Sequence, residues 1–190
     1  MQKKKAIFII TKNNKTMNIF YLHKNPIIAP SFLYNKHVVK MILETAQMLC
    51  TAHHYYADKH NYDKSYIPYK PAYVNHPSTK WARHNAKTYK WLYDYFVSIN
   101  IEYYVRYGKI HTTYTKCRKA LADIPIGIPN GKFIQPPQCM PDIYKKDSSI
   151  EAYWLYYIND KKHIARHEEI IWEKIPLEIR ESFLTNCFVC

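Results

Sequence analysis

Glycine is scarce in this 190-residue chain, which holds three: Gly108, Gly127 and Gly131. Phosphate-cradling loops need residues without a Cβ to bring backbone N–H groups against an anion, so a Walker-type loop and a dinucleotide fingerprint are both excluded. No HExxH helix occurs either, which removes the common zinc-hydrolase pattern. Long apolar runs are missing too. The N-terminal patch Ala6-Ile7-Phe8-Ile9-Ile10 falls well short of the roughly 18 residues of a membrane span and is too brief for a signal-peptide core, so the chain is expected to be neither exported by that route nor embedded in a membrane. Cysteines are few and scattered: Cys50, Cys117, Cys139, Cys187 and Cys190 form an odd set that predicts no disulfide framework and fits a reducing, intracellular setting.

Acidic residues are in short supply as well. Fifteen Asp and Glu face 28 Lys and Arg, a net charge of +13 that ten histidines can raise in mild acid. Such an excess favours a polyanionic partner, most commonly nucleic acid, because fixed cations displace the counterions condensed on phosphates. With 47% hydrophobic and 23% charged residues the chain is expected to fold as one domain. Nineteen tyrosines are interleaved with the lysines. Aromatic faces beside cations suit stacking on unpaired bases, and equally tyrosine can fill a core while lysine covers the surface.

The pattern predicts a mainly α, compact single-domain fold with long loops. Residues 1–16 read as a basic appendage, 17–123 as a helical core, 124–147 as a proline-rich loop and 148–190 as a C-terminal helical extension. Met17 is a candidate effective start, and Asn18-Ile19-Phe20-Tyr21-Leu22 reads as a first strand or buried entry segment. Residues 31–54 predict a helix with Val38, Ile42, Ala46, Leu49 and Ala52 or His53 on its apolar face. A second helix is expected from Ser78, as N-cap, to Tyr107 with Gly108 as its left-handed stop, through a seam of Trp81, Thr88, Leu92, Phe96, Ile99 and Tyr103. A shorter basic helix is expected over 112–122. Ser148-Ser149-Ile150-Glu151 matches a capping box opening a helix that runs to about Lys162.

Three constellations could carry chemistry. The first is the polar stripe Lys36, His37, Lys40, Glu44 and Gln47, in which a carboxylate flanked by cations could serve as a general base, or in which Lys40 and Glu44 merely pair across one helical turn. The second joins Asn75-His76-Pro77, a rigid turn before a helix, to Glu102 and Arg106 one turn apart and to Lys109 and His111 beyond Gly108. Lysine there could clamp a phosphate and histidine carry a proton; equally, these groups could cap helices and complement their dipoles. The third, His163 and His167 with Cys187 and Cys190, supplies four zinc-competent ligands at spacings that make a weak metal signal.

The order of motifs is itself informative. Leu33-Tyr34-Asn35-Lys36-His37-Val38-Val39-Lys40, then Glu44-Thr45-Ala46-Gln47-Met48-Leu49, then Asn75-His76-Pro77 with Trp81, then the segment from Glu102 to Lys109, resembles the pyrimidine-dimer DNA glycosylase family over residues 17–111. It is similar in particular to viral members with an extended C-terminal region. The resemblance implies a helical, single-layered fold that binds duplex DNA on a basic concave face, excises a damaged pyrimidine and nicks the strand by β-elimination, with no cofactor and no metal. It also implies an N-terminal α-amine as nucleophile, a threonine in the founding phage enzyme, where this chain offers Met17 or Asn18. The family's catalytic glutamate falls near Lys36-His37, and Glu44, about two turns on, is the carboxylate available to replace it. Candidate catalytic residues are therefore Glu44, Glu102 and His76. Candidate nucleic-acid contacts are Lys36, His37, Lys40, Asn75, Arg106, Lys109 and His111. Two alternatives stay open: a non-catalytic viral DNA-binding protein, and another nucleobase- or nucleotide-modifying enzyme on the same scaffold.

Binding to duplex DNA is expected to weaken steeply with salt, the log–log slope flattening by about 0.9 for each phosphate contact removed. A salt titration followed by fluorescence anisotropy checks this; affinity indifferent to salt would remove the polyanion reading.

Overall fold

In the computed structural model the described residues are 17–165 together with Leu177 and Arg180. The chain enters the core without regular structure. Met17 to Leu22 is buried throughout, and because no strand occurs among the described residues its backbone groups must find other partners. Asn18 supplies the first: its Oδ1 accepts from the N–H groups of Ile19 at 2.7 Å and Phe20 at 3.2 Å. Its Nδ2 donates to the carbonyl of Cys139 at 3.1 Å. The Trp154 indole then donates to Leu22 O at 2.9 Å, and the Trp91 indole to Lys24 O at 2.8 Å. The entry segment is thus held by hydrogen bonds from side chains far along the chain.

Five α-helices follow among the described residues: α1 (Asn35–His60), α2 (Pro77–Ala82), α3 (Ala86–Tyr107), α4 (Thr112–Cys117) and α5 (Ser149–Asp160). α1 starts later than its periodicity predicts, because Pro30 sits in a 3-10 turn over Ala29–Phe32 that delivers the chain to it. It also runs further. Tyr56 and Ala57 are buried, and Tyr56 donates to Arg83 O at 3.0 Å, so tertiary contacts carry the helix to Asn61, a left-handed cap at φ 53°.

The single helix expected over 78–107 is two. His76, not Ser78, caps α2 by accepting from Ser78 N–H, and the chain breaks at Arg83–Asn85. There Asn85 and Thr88 form a capping box that ends one helix and opens the next. A short amide satisfies the N–H groups of Lys87 and Thr88 at 2.9 and 3.0 Å, and that local solution outcompetes a continuous ladder. Gly108 ends α3 at φ 65° as expected, where a residue with a Cβ would be strained. α4 stops at Cys117, short of the expected residue 122. Ser148 caps α5 as its motif predicts.

α1 packs along α3 through Val38, Ile42, Ala46 and Leu49 on one side and Leu92, Phe96 and Ile99 on the other, all fully buried. α5 adds Tyr153, Trp154 and Tyr157 to the same core. Between α4 and α5 the proline-rich segment runs extended across the surface. Prolines lack N–H donors but leave carbonyls to satisfy. Trp81 Nε1 donates to Ile134 O, Asn85 Nδ2 to Lys132 O, Ser149 Oγ to Pro136 O and Tyr153 OH to Pro137 O, at 2.7–3.0 Å. At Gly131 an added Cβ would meet Asn85 Nδ2 at 2.8 Å, so the strap crosses the start of α3 only as glycine.

Two histidines lie in this core as neutral rings. Tyr157 OH accepts from Tyr34 N–H at 2.7 Å, so its own proton goes to His37 Nδ1 at 2.8 Å. Tyr89 OH donates to Leu121 O, so it accepts from His53 Nε2 at 2.7 Å, and Tyr66 OH serves His53 Nδ1 at 3.0 Å. Burial pushes the His37 pKa down to about 3 and that of His53 to about 4. Both are depressed below the unfolded value near 6.5, so the unfolded chain binds more protons than the folded one as pH falls below 6.5. The stability they contribute is complete above pH 6.5 and drains by up to about 1.4 kcal/mol per pH unit per ring down to the folded values. Urea midpoints at pH 7.5 and 5.0 should differ accordingly, and His37→Gln and His53→Gln should each reduce that difference; an unchanged difference would mean that the rings are charged in the fold.

Candidate functional site

The outward stripe of α1 does not remain a uniformly solvated face. Lys36 and Lys40 are exposed, but the next member, Glu44, keeps only 12% of its side chain accessible. Lys40 Nζ reaches Glu44 Oε1 at 2.9 Å, and the backbone N–H of Asn18 donates to Glu44 Oε2 at 3.4 Å. The carboxylate therefore lies between a lysine and the first residues of the buried entry segment. It forms part of the wall of a cavity of about 560 Å³ completed by Met17, Val39, Lys40, Leu43, Gln47, Tyr73 and His111. Two further cavities, of about 490 and 470 Å³, lie beside His54 and Tyr55 and beside His53 and Asp123.

Three elements bring this wall together. α1 supplies Lys40, Leu43, Glu44 and Gln47. The loop before α2 is pinned to α1 where Ala72 N–H donates to Thr51 Oγ1 at 3.0 Å, which places Tyr73 at the cavity. His111 arrives through the turn after Gly108: its N–H donates to Asn100 Oδ1 at 3.0 Å, and its Nδ1 accepts from Thr113 N–H at 3.2 Å to cap α4. That cap fixes the tautomer. With Nδ1 accepting, the proton sits on Nε2, and partial burial lowers the pKa of the ring, so His111 is neutral and a donor at neutral pH.

The remaining sequence candidates are distributed elsewhere. His37, expected at the nucleic-acid face, is instead a core residue: it is 4% exposed, bonded to Tyr157 and stacked on Phe20 at 4.4 Å between ring centroids. Its neighbour Lys36 points outward because successive helical positions lie about 100° apart. Glu102 and Arg106, expected to move protons and hold phosphate, form a structural clamp. Arg106 Nε donates to Glu102 Oε1 at 2.7 Å, Nη1 to Leu33 O and Asn35 Oδ1 at 2.7 and 2.8 Å, and Nη2 to Ser31 O at 3.3 Å. Four of the five guanidinium donors are thereby spent, one on Glu102 and three on the lead-in and first residue of α1. His76 commits Nδ1 to capping α2 and, with exposed Asn75, is not among the residues lining the Glu44 cavity. Lys109 is exposed beside the turn that carries His111. Of the zinc-competent set, His167, Cys187 and Cys190 lie outside the described residues; among the described residues no cluster of three or more His, Cys, Asp or Glu is placed to hold a metal. None of their helices is long and apolar enough to cross a membrane.

Tyr73, and the placing of the Asn18 N–H against Glu44, are not foreseen from sequence, although Met17 and Asn18 are marked there as a candidate start. Neither has a periodic pattern, and only the prolines at 71 and 77 mark the Tyr73 loop as a place where the chain turns.

The fold and site define a basic helical domain, net charge +13, with a half-sunken carboxylate paired to Lys40 at a cavity. The particular family follows from comparison: the model of the pyrimidine dimer DNA glycosylase family matches residues 17–115, just over half of the chain, and the chain belongs to that family. No curated protein and no solved structure matches it. The match begins at Met17, where the described structure begins and where the Glu44 cavity has its first wall residue.

The clamp and the exposed lysines should separate in experiment. Arg106→Ala is expected to lower stability by about 2–4 kcal/mol, since it leaves Glu102 and several carbonyls without their donor, while the folded fraction keeps its DNA affinity within about twofold. Lys36→Ala and Lys109→Ala should do the reverse, leaving the urea midpoint in place and weakening DNA binding. Urea denaturation and fluorescence anisotropy of the same variants decide the assignment.

Proposed function

We propose that this member excises a damaged pyrimidine from duplex DNA and cleaves the resulting abasic site by β-elimination, with Glu44 as the acting carboxylate. The observation that carries the reading is the approach of Asn18 N to Glu44 Oε2 at 3.4 Å, at the start of the family-matched region. In the chain as written this nitrogen is a peptide amide and no nucleophile. A chain beginning at Asn18 carries an amine there, and one beginning at Met17 carries it one residue upstream. Lys40 Nζ, 2.9 Å from Oε1, is the other amine at the carboxylate.

The chemistry then balances without a cofactor. The amine lone pair forms a bond to C1′ of the deoxyribose, the glycosidic C–N bond breaks, and the base leaves with its electron pair and takes up a proton. The nitrogen lone pair then displaces the ring oxygen from C1′, O4′ leaving with its bonding electrons and taking up a proton from solvent, and the positive charge of the resulting iminium acidifies C2′–H. Glu44 takes that proton, and the C3′–O bond breaks with the phosphate as leaving group. Lys40 at the cavity wall, with the exposed Lys36 and Lys109, holds the flanking phosphates.

Borohydride reduction with abasic-site DNA tests the scheme, because hydride converts the iminium into a stable amine. Protein beginning at Met17 or Asn18 is expected to give a covalent complex that survives excess undamaged duplex and persists in Glu44→Gln, while strand cleavage at the abasic site falls by at least tenfold in that variant. Peptide mapping to the terminal residue assigns the α-amine, and mapping to Lys40 assigns the helix. Trapping that is absent, or strand cleavage indifferent to Glu44→Gln, would leave a DNA-binding protein without this chemistry.

A further inference from the structure

Three non-glycine residues among those described have positive φ: Phe20 at 50°, Asn61 at 53° and Tyr73 at 47°. Two have local explanations. Asn61 is a helix cap, a position that asparagine tolerates, and Phe20 is 4% exposed with its ring stacked on His37, so core packing offsets its backbone. Tyr73 has neither. It is 45% exposed, and among the described residues its ring meets no other ring and no cation, and its hydroxyl has no hydrogen-bond partner.

The backbone at Tyr73 serves a turn in which His76 N–H donates to Tyr73 O at 2.9 Å, next to the Ala72 attachment to α1. Glycine or asparagine would meet that backbone requirement with less strain. What tyrosine adds is the ring, and the ring belongs to the wall of the Glu44 cavity. The remaining wall is chemically mixed in a way that fits an uncharged heterocycle: Val39, Leu43 and Met17 are apolar, Gln47 offers a carboxamide, and His111 offers its Nε2–H. Strain retained at a bulky, exposed residue beside a cavity is the form in which recognition surfaces store pre-organisation.

We propose that Tyr73 is the specificity-determining residue of the site, stacking its ring on the unpaired pyrimidine presented to Glu44. The proposal rests on the glycosylase reading of that cavity. It separates the two substrates of the reaction: the lesion carries a base to stack on, whereas the abasic site carries none. Packing of the dimer's saturated, puckered pyrimidine rings against an aromatic side chain uses the ring face and not the hydroxyl, so phenylalanine should serve as well as tyrosine.

The test compares one duplex carrying a cyclobutane thymine dimer with the same duplex carrying a single abasic site. In wild type, Tyr73→Phe, Tyr73→Ala and Tyr73→Gly, the ratio of dimer to abasic kcat/KM is measured. Tyr73→Ala and Tyr73→Gly are expected to lower this ratio by about ten- to a hundredfold, and Tyr73→Phe to keep it within about threefold. Tyr73→Gly relieves the backbone, so its urea midpoint should equal or exceed wild type and loss of fold cannot explain its result. An unchanged ratio in the Ala and Gly variants overturns the proposal, and so does a Phe variant that falls as far as Ala, which would put the hydroxyl in charge. Equilibrium binding to the two duplexes, read by anisotropy with Glu44→Gln protein, gives the same ratio without turnover. A wild type that cleaves neither duplex defeats the glycosylase reading alone; stacking then stands or falls on whether Tyr73→Ala abolishes the preference for the dimer duplex in binding.

Discussion

The structure depends on satisfying backbone carbonyls in buried chain that has no regular ladder. Residues 17–22 run buried into the core and the largely exposed strap over 124–141 lies across it, both without helix or strand, and each carbonyl that packing takes from water and leaves unpaired would cost about 1–3 kcal/mol. Indoles and phenols supply the donors. Trp81, Trp91 and Trp154 donate to Ile134, Lys24 and Leu22, while Tyr153, Tyr89 and Tyr93 donate to Pro137, Leu121 and Arg118. These side chains combine a large apolar body with one terminal donor, so each fills volume and closes a hydrogen bond at once. Tyrosine meets this constraint where its hydroxyl reaches a carbonyl, and exposed Tyr73 makes no such bond.

Helices were legible wherever a local rule acted alone. The apolar spacing of α1, the glycine stop of α3 and the Ser148 cap of α5 are decided within a few residues, and each is found. Legibility failed where a distant group decided the outcome. The break at Asn85 is supported by a bond to Lys132, and the extension of α1 to His60 by the bond from Tyr56 to Arg83. The entry segment was readable as buried from its composition, but its path was not, since its partners lie on α3, α5 and the strap.

The site shows the same division. Lys40-Glu44 and Glu102-Arg106 have identical spacing and both form their pairs, at 2.9 and 2.7 Å, yet one stands at a cavity and the other ties α3 to the start of α1. Spacing settles that two side chains meet on one helix; it carries no information on what the rest of the chain lays beside them. Here the discriminating group is a backbone N–H twenty-six positions upstream of Glu44. His37 makes the converse point: in a run of basic residues it reads as part of a cationic face, and the 100° step between neighbours on a helix turns it into the core.

In the function proposed above, the burial of Glu44 resolves a conflict inherent in a basic protein that would use a carboxylate on a polyanion. An exposed carboxylate would repel the phosphates that the surrounding lysines attract, with a Coulomb energy of about 1 kcal/mol at 4 Å in water and more where the dielectric is lower. Sinking Glu44 to 12% exposure behind Lys40, itself 61% exposed, puts the cation outermost, so a backbone phosphate meets positive charge before it comes within range of the negative one. A neutral base or sugar that enters the cavity suffers no such repulsion. The depth of one side chain thereby divides the surface into a rim that binds charge and an interior open to uncharged groups, which is the separation that chemistry at a sugar carbon between two phosphates requires.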